Sequence, residues 1–286
     1  MNALLRAIRR LATAPGFRRL TTVSPLLRLS FALRGTLVRS SLRFALNELL
    51  PGDVVAVYRL RQSAVSIAIR HHTADVLVLD EVFSQREYAL PSPVTALLAE
   101  AKQPLRIVDL GANIGLFGAF VLAAYPDASI VGVEPDPANA AVHRRAIEAN
   151  PGAHWSLVQA AAAAAPGTMR FHSGGFTRSH AAEADEDAIL VEAEDVLPRL
   201  QGADLVKIDI EGGEWALLTD PRFAATQARA VVLEYHPENC PGSDPRAEAE
   251  QALVGSGFTV IPGPAKPEFG TGVLWGWAQR QAQSMP

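Results

Sequence analysis

Residues 107–115, Ile-Val-Asp-Leu-Gly-Ala-Asn-Ile-Gly, constrain this chain more than any other stretch: an apolar, β-branched run ends in an acid and then in two spaced glycines. The pattern is that of a buried strand running into a ligand-binding turn. A second acid, Glu134, closes the next apolar run, residues 128–133. It stands about 20 residues beyond the turn, where a doubly wound fold sets a ribose-binding carboxylate. Together the two signals imply a nucleoside-type cofactor.

The turn differs from the dinucleotide fingerprint. Gly111, Asn113 and Gly115 leave out the third glycine of G-x-G-x-x-G, and Asp109 at the strand end would repel a pyrophosphate. A phosphate-free cofactor fits better. S-adenosylmethionine offers an ammonium to Asp109, a carboxylate to backbone N–H groups and a ribose diol to Glu134. The plain alternative is a βα turn that binds nothing, yet folding alone requires neither acid.

Strand and helix patterns alternate from residue 105 onward: strand 105–110, helix 114–124, strand 128–133, helix 137–149, strand 154–160. After a Gly-rich and then acidic loop at 173–188 come strand 189–193, a short helix at 195–200, strand 203–209, helix 213–219, strand 229–235 and helix 244–256. Such alternation argues a parallel sheet with helices on both faces. The alanine run 160–165 reads as the small-residue floor of a pocket or simply as a habit of an alanine-rich chain, and 168–172 as a strand. The two last β runs, 258–261 and 271–277, are joined by too short a loop for a crossover helix and so form an antiparallel hairpin. A reversed strand there separates a methyltransferase sheet from an all-parallel nucleotide-binding one.

Upstream of this domain, residues 54–69 and 76–82 read as the two strands of a small hairpin, followed by a helix that opens at Pro91 and Pro93 and runs through Lys102. The chain then divides into a basic helical extension (1–50), a hairpin and lead-in helix (51–103) and a cofactor-binding domain (104–280). A length of 286 residues, 49% of them hydrophobic, gives ample core for this. The single cysteine, Cys240, excludes an intramolecular disulfide and a cysteine-based zinc site.

Charge is unevenly spread. Residues 1–50 hold nine arginines and one acid, Glu48, whereas the remainder carries 17 basic against 29 acidic residues, a net −12. Only the N-terminal segment suits an anionic surface, and no nucleic-acid partner is expected. Three readings compete for the first 47 residues: a mitochondrial transit peptide if the source is eukaryotic, an interfacial helix in peripheral contact with a membrane, or a helical lid packed on the catalytic domain. No apolar run reaches the length of a membrane span, so a cytoplasmic or peripherally bound protein is expected.

Candidate chemistry gathers at the carboxyl ends of two strands. Residues 207–214, Lys-Ile-Asp-Ile-Glu-Gly-Gly-Glu, bring Asp209, Glu211 and Glu214 to the edge where open α/β sheets place their sites, and residues 233–236 add Glu234 and His236. Asp209 can orient or deprotonate an attacking hydroxyl, and His236 is either a base or a structural histidine. Glu214 also has a structural reading, as an acid in a first helical turn. The same cluster of Asp209, Glu211, Glu234 and His236 can instead hold a divalent ion, although carboxylates at sheet edges more often accept hydrogen bonds. Arg178 and His180, with His172 and Ser179, lie on or beside the Gly-rich loop as substrate contacts.

Taken together, residues 108–115, 133–135 (Val-Glu-Pro), 206–214 and 233–236 resemble the FkbM-type S-adenosylmethionine-dependent methyltransferases. The resemblance covers about residues 81–277, including Glu81-Val-Phe and Glu87-Tyr88 in the lead-in. It implies a class I methyltransferase (Rossmann-like) fold with a seven-stranded sheet, and O-methylation of a hydroxyl on a small-molecule, sugar, glycan or natural-product acceptor. It also implies that Asp109, Gly111, Asn113 and Gly115 line the aminoacyl end of the cofactor, that Glu134 holds the ribose, and that Asp209, Glu211 and His236 face the acceptor. Where many methyltransferases offer an acid to the adenine amino group, this chain has Gln159, whose side chain or backbone takes that contact instead. A nicotinamide-dependent oxidoreductase and a non-catalytic, membrane-docked binding protein are the competing functions.

Overall fold

The computed structural model describes residues 25–171 and 189–278. Its centre is a seven-stranded sheet built from β3 (Arg106–Leu110), β4 (Ser129–Val133), β5 (His154–Val158), β9 (Leu205–Ile208), β10 (Ala230–Tyr235), β11 (Phe258–Lys266) and β12 (Thr271–Ala278). The order across the sheet is β5-β4-β3-β9-β10-β12-β11. β12 runs antiparallel to both β10 and β11, and the other neighbours pair in parallel. This is the class I methyltransferase order, with the expected terminal hairpin inserted at one side.

Chain order reverses between β3 and β9. From β3 the chain winds outward through β4 and β5, then returns to lay β9 against β3 on its other side. Open α/β sheets bind ligands outside the carboxyl ends of their strands at such a switch point. Alternate side chains of the central strands feed two cores. Ile107, Ile130 and Leu205 pack into one, and Val108, Leu110, Val206 and Ile208 into the other, which is the period-2 signature of strands buried on both faces. Helices α5 (Leu116–Ala124) and α6 (Pro137–Glu148) make the crossovers after β3 and β4. A separate three-stranded sheet joins β6 (Ala161–Ala163), β7 (Gly167–Phe171) and β8 (Ile189–Asp195) in the order β6-β8-β7. The alanine run expected to floor a pocket is thus partly a strand of that sheet.

One upstream expectation needs correction. The hairpin lies wholly inside the first β run, as β1 (Val55–Arg59) against β2 (Ser66–Arg70), while the second run is helical: α3 (Asp75–Leu79) continues into a π-helical turn (Asp80–Ser84). Val76, Leu77, Leu79 and Val82 are all buried, and a short apolar run with no exposed side carries no period that separates helix from strand. What decides is the helix start. Asp75 sits in the first turn and accepts hydrogen bonds from the Arg70 backbone N–H and guanidinium at 2.8–2.9 Å, bending the chain back directly after β2. Helix α4 (Ser92–Ala99) then leads into β3.

The extension packs onto this core. Helices α1 (Pro25–Ala32) and α2 (Ser41–Leu49) bury Phe31 and Phe44 in the cluster that contains Ile67, Ile69 and Ile107. The part of the first 47 residues that is described is therefore held as a packed element, and residues 1–24 lie outside the described part. A buried polar chain fastens α2 to the hairpin. His71 Nδ1 lies 2.7 Å from Glu48 Oε1, its Nε2 lies 2.6 Å from the Tyr58 hydroxyl, and Asn47 Nδ2 donates to that hydroxyl at 2.7 Å. Glu48→Ala strands the buried His71 ring nitrogen and is expected to lower unfolding free energy by about 1–3 kcal/mol. Urea denaturation that returns the parental midpoint and slope would show that this chain of contacts does not anchor the helix.

Candidate functional site

The sequence positions Lys207 one residue before the end of β9, and the parallel register sets it beside Asp109 of β3. Its ammonium is buried at the switch point. Nζ donates to the Gly111 carbonyl at 2.9 Å and lies 3.1 Å from Asp209 Oδ2 and 3.4 Å from Asp109 Oδ1. Burial alone would lower its pKa, but Asp209 and Asp109 outweigh that and raise it, so the lysine remains a cation. Gly111 makes the same junction possible on the backbone side. It adopts φ +74°, and a Cβ built there would stand 1.7 Å from the Asp209 carbonyl oxygen.

These contacts form one wall of a cavity. The π-helical turn with Glu81, the segment carrying Glu87 and Tyr88, and the end of the β11–β12 hairpin with Lys266 and Thr271 also line it. Asp209, Glu211, Glu234 and His236, all expected at this edge, do line it together. Tyr88, 146 residues from Glu234 in sequence, donates from its hydroxyl to Glu234 Oε2 at 3.1 Å and approaches Asp209 Oδ2 at 3.3 Å. Lys266 bridges Glu87 at 2.8 Å, Glu234 at 3.4 Å and Glu81 at 3.6 Å, tying the hairpin to β10 and to the π-helical turn and the segment after it. Burial works to raise Glu234, but Lys266, His236 and Lys207 hold its pKa well below the usual carboxylate range. Glu87, more burdened by burial than relieved by Lys266, is pushed up.

His236 is fixed by a carboxylate that shares no wall with the cavity. Glu214 in the first turn of α7 (Glu214–Leu218) is fully buried and accepts from the His236 backbone N–H at 2.8 Å and from Nδ1 at 3.0 Å. Its other oxygen accepts from the Gly212 N–H at 2.8 Å. Nε2 is thereby turned toward Glu211 Oε2 at 3.6 Å and Asp209 Oδ1 at 3.9 Å. Burial would lower the imidazole pKa; the Glu214 hydrogen bond and the charges of Glu211, Glu214 and Glu234 override it and raise the value to about 10. At neutral pH His236 is an imidazolium, a donor rather than a base. Asp209, Glu211 and His236 offer ligand atoms within 4.8 Å of one another, and they are the set among the described residues that can hold a divalent ion, once His236 gives up its proton.

The residues expected to meet the cofactor are arranged differently from one another. Asn113 and Gly111 reach the cavity, whereas Asp109 and Glu134 lie behind the turn. Burial pushes Asp109 up against the pull of Lys207. Glu134 Oε2 accepts from the Asn113 N–H at 2.8 Å, and Oε1 from the Asp136 N–H at 2.9 Å and Asn139 Nδ2 at 3.3 Å. Burial raises its pKa to about 7 despite those donors. The turn is largely closed on itself: the N–H groups of Gly111 and Ala112 both donate to the Val133 carbonyl, and that of Gly115 to Ala112. Gln159 is exposed and accepts from Arg144 Nη2 at 2.7 Å. Arg178, His180, His172 and Ser179 lie outside the described residues. Lys207 and Lys266 escaped the sequence reading. The first interrupts an apolar strand, which is itself a signal for a buried ion partner; the second is an ordinary lysine in a hairpin whose partners only the tertiary fold supplies.

No family model and no curated protein sequence matches the chain. Solved structures with a similar course include precorrin-6y C5,15-methyltransferase from Geobacter metallireducens GS-15, at 14% identity and TM-score 0.39, covering 65% of this chain and 87% of that one. The bifunctional kinase-methyltransferase WbdD follows at 18% identity and TM-score 0.41, covering 68% of this chain and 39% of that one. The pyocyanin biosynthetic protein PhzM gives 15% identity and TM-score 0.37, covering 71% and 58%. This chain thus spans less than two thirds of WbdD and of PhzM. Overlaps this partial decide nothing about substrate or chemistry, and the fold assignment rests on strand order and direction.

With a folded-state pKa raised from 6.5 to about 10, His236 contributes stability that is complete below pH about 6.5 and is lost as pH rises toward 10. The ring resonances of His236, followed by NMR, are expected to show no titration between pH 5 and 8, and Glu214→Gln to bring the midpoint down. A midpoint near 6.5 in the parental protein would contradict the carboxylate clamp.

Proposed function

We propose that the chain is an S-adenosylmethionine-dependent O-methyltransferase of the FkbM type, acting on a hydroxyl of a sugar, glycan or natural-product acceptor. The observation that carries this reading is the cavity at the β3/β9 switch point, lined by the Gly111–Asn113 turn together with Asp209, Glu211 and His236. A carboxylate-lined cavity suits a sulfonium cation, and the two-glycine turn beside a buried acid suits a cofactor without phosphate.

Within that reading the cofactor carboxylate belongs at the start of α5, whose first-turn N–H groups precede the first helical bond, from the Ala119 N–H to the Gly115 carbonyl. The ammonium meets cavity carboxylates rather than Asp109, which Lys207 already occupies. Glu134 acts on the ribose from behind the turn, and its grip on the Asn113 N–H sets the turn's shape. Asp209 has one oxygen engaged by Lys207 and Tyr88; the other faces His236 and is the one for an acceptor hydroxyl. With one oxygen held by Lys207 and Tyr88, Asp209 orients the acceptor hydroxyl by accepting its hydrogen bond on the other. Catalysis is then chiefly the alignment of hydroxyl oxygen, methyl carbon and sulfur.

Calorimetry is expected to show binding of S-adenosylmethionine and S-adenosylhomocysteine, with no competition from NAD. Glu134→Ala loses hydrogen bonds to a charged group, about 1.5–3 kcal/mol, and so weakens both ligands on the order of 10- to 100-fold. Tight NAD binding with no response to S-adenosylhomocysteine would replace this reading with the oxidoreductase one.

Asp209→Asn is expected to leave S-adenosylhomocysteine affinity intact and to lower methyl transfer about 100-fold, the usual scale for lost proton-transfer assistance. One observation favours a second mechanism: Glu214 holds Nδ1 of His236, which is how a carboxylate behind a metal-bound imidazole orients the ring. Activity that disappears with a chelator and returns only with magnesium or manganese would make the cluster a metal site.

A further inference from the structure

The N-terminal helix pair has apolar surface on two opposite sides. On α2, Phe44 and Glu48 turn inward, and Leu42, Leu46 and Leu49, spaced as i, i+4 and i+7, form a stripe on the outward side. A helix packed on a soluble domain ordinarily presents polar residues there. Instead Leu42 is exposed by 74%, Leu50 by 59% and, after α1, Leu33 by 62%. Leu29, Leu33, Leu42, Leu46, Leu49 and Leu50 account for six of the eight large apolar side chains exposed among the described residues. Clustering of that kind marks a surface that meets something apolar.

Charge says what that something is. Between residues 29 and 50 the only acid, Glu48, is buried against His71, while Arg39 and Arg43 are exposed beside the leucines. Residues 1–24 add five arginines and no acid to the same end of the chain. Leucine and arginine without exposed acid complement a surface that is anionic outside and hydrocarbon within. No helix among the described residues is long and apolar enough to cross a membrane, so the contact is one of lying on the surface.

We propose that the outward face of α1 and α2 is a docking surface for an anionic lipid bilayer, seating the leucines at the headgroup boundary with the arginines toward lipid phosphates. The buried side of the same helices packs into the core that carries α3 and the π-helical turn, which form a wall of the cavity. Docking therefore holds the methyl-transfer site at a fixed standing relative to the membrane. This surface is independent of the proposed chemistry and is tested without any acceptor.

The full-length protein is incubated with phosphatidylglycerol vesicles or with phosphatidylcholine vesicles and sedimented. The expected result is sedimentation with phosphatidylglycerol that is at least about tenfold stronger than with phosphatidylcholine and that fades as salt rises past about 0.15 M, where the Debye length falls to about 8 Å. Combined Leu42→Ser, Leu46→Ser and Leu49→Ser substitutions, all at exposed positions, should abolish it while leaving the circular dichroism spectrum and melting temperature unchanged. Equal sedimentation with both lipids, or an undiminished variant, overturns the proposal. So does velocity ultracentrifugation showing a parental dimer that the same substitutions dissociate, since the face then meets a second copy. Binding that appears only after residues 1–24 are removed likewise overturns it, because the chain's own segment is then the occupant.

Discussion

A buried ammonium between two carboxylates organises this molecule. Removing Lys207 from water costs several kcal/mol, and the Asp109 and Asp209 carboxylates, the Leu110 and Gly111 carbonyls and the Tyr88 ring around it offset that cost. Because Asp109 is the last but one residue of β3, Gly111 begins the turn after it and Asp209 follows β9, the one ion joins the two strands at the point where chain order reverses. Gly111 must then be glycine, since its Cα faces the Asp209 carbonyl at a separation no Cβ fits. The cavity inherits its position from this junction.

Outward from Lys207 the charges alternate. Asp209 touches Lys207, His236 and Tyr88; Glu234 touches Tyr88 and Lys266; Lys266 touches Glu81 and Glu87. Lys266, His236 and Lys207 hold Glu234 below the usual carboxylate range, whereas burial pushes Glu87 up in spite of Lys266. The elements joined this way are the central sheet, the terminal hairpin, and the π-helical turn with the segment after it. A change at any of these positions therefore acts on the site's charge and on the closure of its walls together.

Much of this was legible in the sequence because strand-terminal residues carry their own address. An apolar run that ends in Asp109, Glu134, Asp209 or Glu234 places an acid at the carboxyl edge of a sheet, and the reversed hairpin followed from the short loop after residue 261. What sequence withheld was depth. Glu134 looks like an open ribose ligand, yet its oxygens are met by Asn113, Asp136 and Asn139. Asp109 looks like a partner for the cofactor ammonium, yet Lys207 stands beside it. Gln159 follows β5 as an adenine contact should, but it is exposed and spent on Arg144. The helix at Asp75–Leu79 was hidden for a different reason: burial on every side erases periodicity, and only the Arg70–Asp75 pairing reveals the bend. His236 shows the same limit, since its charge depends on Glu214, 22 residues away in sequence and adjacent in space.

Chemistry at the β3/β9 switch point is the central claim, and a crystal structure of the protein with S-adenosylhomocysteine tests it most directly. The predicted result is the amino-acid end of the ligand between the Gly111–Asn113 turn and the start of α5, with its sulfur turned toward the opening where Asp209, Glu211 and His236 meet and Lys207 still bonded to Gly111. A ligand bound elsewhere on the molecule, or one in this cavity with its sulfur directed away from that opening, would contradict it.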